Sequence, residues 1–458
     1  MPKKKTALTI EERLQQALVP AEEQPYEVPE NWVWVRLGEV TKVVGGGTPS
    51  TSKKEYYDEG NISWLSPVDL SNYNGIYISR GNKMITLEGL NNSSAKLLPK
   101  DTVCLTSRAP IGYVAIAEKE LCTNQGFKSF LPSPTYLAKF LYWYLKGNKE
   151  LLESKASGTT FLELSASKAA TIEFPLPPLS EQQRIVERIE ELFAKLDEAK
   201  ERLQEVAESF AVRKAVILHK AFTGELTKQW RRENGVSDES WEEKKLGEVG
   251  SWLGGGTPST SREEYWENGN ILWITSKDMK SAVIEDTLMK VNEIGVKNSS
   301  ANYIEKPALL VVMRSGILRR TFPVAMVKKP FTVNQDLKAI IPDKDDLEFL
   351  FWMLLSNERR ILDSCMKNGT TVESINSNAL KAFAFKCPTL HEQHEIVRLI
   401  DDLLARERAA QQAAEQALAS IDLMKKSILA RAFRGELGTN KASEASALEL
   451  LRQVLAEN

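Results

Sequence analysis

Histidine and cysteine are scarce in this chain of 458 residues, which contains three histidines and four cysteines. Cys104, Cys122, Cys365 and Cys387 lie far apart and form no C-x-x-C pair. Neither a zinc site nor a disulfide framework is therefore indicated, and we expect four buried thiols. The chain also lacks an apolar run of about 18 residues and a basic-then-apolar start, which argues against a membrane span and a signal peptide. These absences predict a cytoplasmic protein without a metal.

Cofactor-binding and catalytic motifs are missing as well. We find no N/D-P-P-Y/F motif, no G-x-x-x-x-G-K-S/T phosphate loop and no G-x-G-x-x-G after a strand. The run Gly45-Gly46-Gly47 continues with Thr48-Pro49 and lacks the lysine that a phosphate loop needs. We expect neither a cofactor nor catalysis in this chain; a divergent nuclease site of scattered Asp and Glu residues is the alternative.

The sequence has no excess of positive charge either. Its formal net charge is −2, so any surface that binds nucleic acid must be a local patch.

A tandem repeat dominates what the sequence does contain. The 28 residues from Leu37 and the 28 from Leu246 are identical at 18 positions, at an offset of 209. Later landmarks recur at a similar offset, among them Asn-Gln, Gly-Thr-Thr and the segments AFTGEL from Ala221 and AFRGEL from Ala432. The chain is therefore a duplication of a unit of about 210 residues.

Each repeat has a mixed part and a helical part. Short apolar runs between Gly, Asn, Ser and Pro clusters predict α+β domains at residues 31–179 and 241–388. The stretches 180–220 and 391–434 contain neither Gly nor Pro and predict two long helices.

Apolar residues in these helices alternate spacings of three and four, as in a coiled-coil seam. The predicted seam consists of Ile189, Leu192, Leu196, Leu203, Val206, Phe210 and Ile217 in the first helix, and of Ile400, Leu403, Ala410, Ala417, Ile421, Met424 and Ile428 in the second. Arg213 and Glu407 interrupt it. Because the first helix carries the chain from domain one to domain two and the second must return, we expect an antiparallel, pseudo-two-fold coiled coil. The alternative is that each helix packs on its own domain.

Several segments resemble specificity subunits of type I restriction-modification systems. They are PENW from Pro29, PPLSEQQRIV from Pro177, CPTLHEQHEIV from Cys387, the two AF-x-GEL ends and the GGGTPS blocks, and the resemblance covers nearly the whole chain. In that family each domain is a target recognition domain, and the long helices are conserved spacers. Two separated, related domains suit two inverted half-sites on double-stranded DNA, whose backbone is itself locally two-fold.

The resemblance implies partners and a domain plan. The complex would contain two methyltransferase subunits, which carry S-adenosylmethionine, and restriction/translocase subunits. It would place an N6-methyladenine mark in a bipartite sequence and cleave unmodified DNA after ATP-driven translocation. The implied domains are an N-terminal tail (1–30), the first recognition domain (31–179), a central helix (180–222), a linker (223–240), the second recognition domain (241–388), a C-terminal helix (389–434) and a C-terminal tail with a short helix (435–458).

We expect a phosphate-facing loop after the glycine run of each domain, because hydroxyls and cations beside glycine allow close approach of the backbone to DNA. The candidates are Thr48, Ser50, Thr51 and Lys53, and Thr257, Ser259, Thr260 and Arg262. The alternative is a structural turn.

Base reading favours Arg, Asn and Gln, which pair bidentately with guanine or adenine edges. The candidates are Ser107, Arg108, Asn124, Gln125, Lys128 and Thr159 in the first domain, and Arg314, Arg319, Arg320, Asn334, Gln335, Lys338 and Thr370 in the second. Only the second domain has the Arg319-Arg320 pair, which makes it a candidate for what distinguishes that half-site. Surface ion pairs, turn-forming asparagines and helix-entry turns are the alternative interpretations.

Two other functions stay open from the sequence. One is a coiled-coil scaffold that binds proteins and not DNA. The other is a specificity subunit of a modification-only or type IIB-like complex.

Overall fold

The computed structural model describes residues 9–108, 110–158, 162–367 and 372–457. The chain forms two compact units. Unit 1 comprises Met1–Leu203 and Gln416–Asn458, and unit 2 comprises Gln204–Glu415. Each unit therefore contains one mixed domain and parts of both long helical segments.

The described residues of unit 1 form three sheets. Its strands are β1 (Val33–Arg36), β2 (Val43–Gly45), β3 (Ile62–Leu65), β4 (Tyr77–Ile78), β5 (Lys83–Ile85), β6 (Val103–Ser107), β7 (Ile111–Ala117), β8 (Cys122–Thr123), β9 (Phe127–Phe130) and β10 (Glu173–Leu176). The strand orders are β2-β9-β6-β7-β4, β5-β3-β8 and β1-β10. Its helices are α1 (Ile10–Ala17), α2 (Leu37–Val40), α3 (Leu87–Asn91), α4 (Ala138–Gly147), α5 (Lys149–Lys155), α6 (Ala166–Ala170) and most of α7 (Leu179–Glu208).

Unit 2 repeats this plan. Its strands are β11 (Glu242–Lys245), β12 (Gly250–Gly254), β13 (Ile271–Ile274), β14 (Met289–Val291), β15 (Ala308–Val312), β16 (Val324–Val327), β17 (Phe331–Val333), β18 (Leu337–Pro342) and β19 (Ala384–Cys387). The strand orders are β12-β18-β15-β16, β14-β13-β17 and β11-β19. Its helices are α8 (Phe210–Phe222), α9 (Lys228–Glu233), α10 (Glu293–Lys297), α11 (Leu347–Ser356), α12 (Glu358–Cys365), α13 (Ser377–Ala382) and part of α14 (Leu390–Phe433). The final helix, α15 (Ala447–Glu457), belongs to unit 1 and packs on α1.

A two-stranded ladder closes each domain. Strand β1 pairs antiparallel with β10, with Val33 opposite Leu176, and β11 pairs with β19, with Glu242 opposite Cys387. The first and last strands of each domain therefore lie side by side, and a long helix begins directly after each ladder. The predicted α+β class with two tandem domains and long helices is confirmed.

The long helices pack antiparallel within each unit. In unit 1, Lys425 of α14 pairs with Asp197 of α7, and its ammonium lies 5.0 Å from the ring centre of Phe193. In unit 2, Arg213 and Glu407 form an ion pair. The two polar residues that interrupt the predicted seam are thus partners of each other.

Three seam predictions do not match the buried faces. The Val206 and Met424 side chains are 38% and 48% exposed and Ala410 is exposed as well, whereas Leu404 and Leu429, outside the predicted seam, are buried. One reason lies at Ser209, where the predicted single helix is interrupted between α7 and α8. Beside Met424, it is Lys425 that turns inward onto the partner helix.

Two adjacent polar residues near the start of α7 are fully buried. Glu181 accepts hydrogen bonds from Trp32 Nε1 (2.9 Å) and Asn440 Nδ2 (2.7 Å). Gln182 Oε1 accepts a hydrogen bond from the Leu137 amide (2.8 Å). Burial raises the pKa of Glu181, while the bonds from Trp32 and Asn440 lower it. This pair therefore fastens α7 to its domain and to the tail after α14, because buried polar groups require such partners.

The equivalent pair in unit 2 has different partners. Glu392 Oε1 accepts hydrogen bonds from Thr227 Oγ1 and Arg231 Nη1, both at 2.7 Å. Gln393 Oε1 accepts one from the Asp346 amide at 2.8 Å. Arg231 is buried and lies in α9, inside the segment predicted to be a linker. That segment therefore supplies the counter-charge of a buried carboxylate.

We predict that Arg231→Ala lowers the free energy of unfolding of unit 2 by about 3–5 kcal/mol, because it leaves a buried carboxylate without its cation. Its neighbour Arg232 is exposed, so Arg232→Ala should change stability by less than about 0.5 kcal/mol. Calorimetric thermal unfolding measures both variants. Equal stabilities for the two would contradict the assigned role of the Arg231–Glu392 pair.

Candidate nucleic-acid interface

The glycine-rich loop and the Asn-Gln turn of each domain lie against each other. The Gly47 amide donates a hydrogen bond to Thr123 O (2.9 Å), and the Thr48 hydroxyl donates one to Gln125 Oε1. In the second domain the Thr257 hydroxyl donates to Gln335 Oε1 at 2.9 Å. Two separately predicted clusters therefore form one surface in each domain.

Glycine is required where the two segments touch. A Cβ on Gly46 would lie 2.0 Å from Asn124 O, and one on Gly255 would lie 1.8 Å from Val333 O. Both distances are far shorter than any real contact of a Cβ atom. The glycine run is thus explained by close packing of backbone on backbone.

Tyrosines hold the cations that follow the loop. Lys53 Nζ donates a hydrogen bond to Tyr56 Oη (2.9 Å), and Arg262 Nη1 donates one to Tyr265 Oη at the same distance. The hydrogen bond to Tyr56 raises the pKa of Lys53. The neighbouring candidate hydroxyls are exposed, namely Ser50, Thr51, Thr257, Ser259 and Thr260. Each loop therefore presents hydroxyls and one oriented cation to solvent, which suits phosphate contact.

The basic residues beside β6 form a connected cluster. Ser107 is fully buried, and its hydroxyl accepts a hydrogen bond from the nearly buried Lys128 Nζ (3.1 Å). Glu163 lies 3.4 Å from Lys128 Nζ and 3.9 Å from Arg108 Nη1. The Ser107 hydroxyl has no exposed surface and supports Lys128. Arg108 is the partly exposed cation of the cluster.

The second domain arranges its arginines differently. Arg314 Nε donates to Asp336 Oδ1 (2.7 Å), and Arg319 pairs with Glu373. Arg320 is exposed. Lys338 Nζ lies against Gly254, 2.4 Å from the position that a Cβ atom on this glycine would occupy. The two domains therefore share the loop but differ in the charged groups beside it.

Both candidate asparagines shape turns. Asn124 Oδ1 accepts a hydrogen bond from the Gly126 amide (2.9 Å), and Asn334 Oδ1 accepts one from the Asp336 amide (3.1 Å). This agrees with the alternative interpretation of turn-forming residues. Thr159 and Thr370 lie outside the described residues.

The sequence interpretation missed the tyrosines and the carboxylates. Lys53-x-x-Tyr56 and Arg262-x-x-Tyr265 recur at the repeat offset, so comparison of the repeats could have found them. Glu163 carries no such signal, because it meets Lys128 across 35 residues of sequence.

All four cysteines are free and buried, as expected, and burial raises the pKa of the Cys104 thiol to about 12. Within the described ranges, no group of three or more His, Cys, Asp or Glu side chains is placed to hold a metal ion. No helix within the described residues is both long enough and apolar enough to cross a membrane.

Two α+β domains with matching polar surfaces, joined by long helices, define a duplicated two-domain protein. The family model for the type I restriction modification DNA specificity domain matches residues 29–208 and 238–417. The chain therefore belongs to the family of type I restriction-modification specificity subunits, as its sequence motifs predicted.

Known proteins support this assignment along most of the chain. The type I restriction enzyme MjaIX specificity subunit of Methanocaldococcus jannaschii is 34% identical over 69% of this chain and 73% of its own length. The EcoKI specificity subunit of Escherichia coli is 24% identical over 94% of this chain and 96% of its own. The crystal structure of the HsdS subunit from Thermoanaerobacter tengcongensis has a TM-score of 0.66 at 20% identity and covers 91% of this chain and 100% of that one. This structural likeness shows a shared fold.

We predict that Gly46→Ala destabilises unit 1 by at least about 2 kcal/mol, because the added methyl group meets a backbone carbonyl. Gly45 has open space at its Cβ position, so Gly45→Ala should cost less than about 1 kcal/mol. Chemical denaturation of the two variants compares these costs. Similar losses would show that the close approach at Gly46 is unimportant.

Proposed function

We propose that this chain is the DNA sequence-specificity subunit of a type I restriction-modification complex, in which each domain reads one half of a bipartite target. The observation that carries the proposal is the duplicated loop surface with different arginine surroundings, Arg108 in the first domain and Arg314 and Arg319 in the second. A shared loop suits the common phosphate backbone, and diverged arginines suit different bases.

The long helices would set the distance between the half-sites and dock two methyltransferase subunits. Helix α14 alone has 44 residues, which corresponds to a length of about 66 Å at 1.5 Å per residue. Exposed charges on α7, such as Glu187, Arg188, Glu191 and Lys195, offer a docking face. N6-adenine methylation and ATP-dependent cleavage would belong to the methyltransferase and restriction subunits.

A specificity subunit of a modification-only or type IIB-like complex would read DNA in the same way. Co-purification of the chain with restriction subunits from its host separates these possibilities.

Substitution of the arginines tests the half-site assignment. We expect Arg108→Ala to relax one half of the methylated motif and Arg314→Ala to relax the other, each with a loss of about 1–3 kcal/mol for the cognate base. Long-read methylome sequencing of cells with the wild-type gene, without it and with each variant gives the motifs. Relaxed base preference in both halves of the motif by a single variant, with the complex intact, would contradict separate reading.

A change of helix length tests the spacer. Inserting seven residues into both long helices adds about 10 Å while keeping the seam, so the spacer should lengthen by up to about three base pairs. The same sequencing measures the spacer. An unchanged motif would rule out the helices as the determinant of spacing.

A further inference from the structure

A carboxylate lies beside a candidate DNA-contacting arginine in each domain. Glu163 Oε1 lies 3.4 Å from Lys128 Nζ, and Glu163 Oε2 lies 3.9 Å from Arg108 Nη1. In the second domain, Glu373 pairs with Arg319. Acidic groups on a surface that faces DNA oppose phosphate binding, so their presence in both domains requires an explanation.

The same backbone segment supplies both carboxylates. In the first domain, the Leu164 amide donates to Ser107 O (2.9 Å), at the end of β6. In the second, the equivalent amide, that of Ile375, donates to Met313 O (2.8 Å), directly after β15. Glu163 lies one residue before the first of these amides, and Glu373 lies two residues before the second. The repeats have therefore diverged in sequence here, yet each aims a carboxylate at its own arginine.

Fold stability accounts only weakly for the two arginine pairs. The Glu163 and Arg108 side chains are 43% and 37% exposed, and Arg319 is 69% exposed beside a Glu373 that is 19% exposed, whereas the Lys128 side chain that also meets Glu163 is 10% exposed. Ion pairs this open to solvent contribute only about 0–1 kcal/mol to stability. These carboxylates affect an approaching charged ligand more than they affect stability, because a charge acts on other charges within about 8–10 Å at physiological salt.

Phosphate and base edges respond to such a carboxylate to different degrees. A phosphate oxygen carries a negative charge and must displace or approach the carboxylate, which repels it. The guanine O6 and N7 acceptors are uncharged, and a guanidinium retains donors for them while one edge binds a carboxylate. The pair therefore penalises non-specific contact more than base contact.

We propose that Glu163 and Glu373 are specificity-determining residues that keep DNA phosphate away from Arg108 and Arg319. This inference rests on the proposed DNA-reading function. The two carboxylates suppress binding to DNA that lacks the target, and they leave binding to the target nearly unchanged.

Charge removal tests this role in the complex of the chain with its methyltransferase subunits. The probes are a duplex that carries the methylated motif found by sequencing and a duplex of the same composition with both halves shuffled. In Glu163→Gln and Glu373→Gln we expect affinity for the shuffled duplex to rise about threefold to tenfold, with less than about a twofold change for the motif duplex. The slope of log affinity for shuffled DNA against log salt concentration should steepen by up to about 0.9 for each basic side chain that is freed to bind phosphate.

Two controls separate charge from structure. Glu153 in α5 pairs with Lys149 and is 42% exposed, so Glu153→Gln should leave the affinity ratio unchanged. Glu163→Asp keeps the charge and should retain most of the discrimination. If Glu163→Asp and Glu163→Gln lose discrimination equally, charge is not the cause and the inference is overturned.

The remaining outcomes separate failure of this inference from failure of the proposed DNA-reading function. An unchanged ratio in both glutamine variants, beside a wild-type protein that discriminates, overturns the inference alone. A wild-type complex that binds both duplexes equally at physiological salt overturns the proposed function as well.

Discussion

The structure depends on a buried Glu-Gln pair near the start of each long helix. Glu181 and Glu392 are both fully buried, and each is bonded by the segment that follows the end of the other long helix. Asn440 provides this contact in unit 1 and Arg231 provides it in unit 2. A buried carboxylate without such partners is strongly unfavourable. The pair therefore joins three things in each unit: the start of one helix, the continuation of the other and the mixed domain between them.

These contacts explain the motifs that recur at the starts and ends of the long helices. The Glu-Gln of SEQQ and HEQH supplies the buried carboxylate and amide, and the AF-x-GEL ends lead into the segments that satisfy the carboxylate. These motifs therefore anchor the long helices to the domains, while the glycine loops and arginines lie on the domains themselves. Under the proposed function, divergence in the domains changes the bases that are read without disturbing this anchoring.

Repetition made much of the fold predictable from sequence. The offset of 209 residues, the α+β domains and the long helices were all visible, because each is encoded by a pattern that occurs twice. Val206 and Met424 were misplaced because the irregular residue Ser209 and the inward-turning Lys425 depend on tertiary packing and not on periodicity. The pairing of Glu163 with Lys128 was invisible for a related reason, since contacts across 35 residues leave no local pattern. The hydrogen bond between Thr48 and Gln125 could not be predicted either, because it depends on how two loops that are distant in sequence pack together.

Exchange of one domain tests the central claim most directly. Replacing residues 241–388 by a second copy of residues 32–177 keeps the closing ladder and its spacing to the Glu-Gln pair of the following helix. Such a chain should direct methylation to an inverted repeat of the first half-site, as read by long-read sequencing of cells that express it with its methyltransferase. A methylated motif that still contains the original second half-site would contradict the account, because the bases would then be read outside the domain that was exchanged.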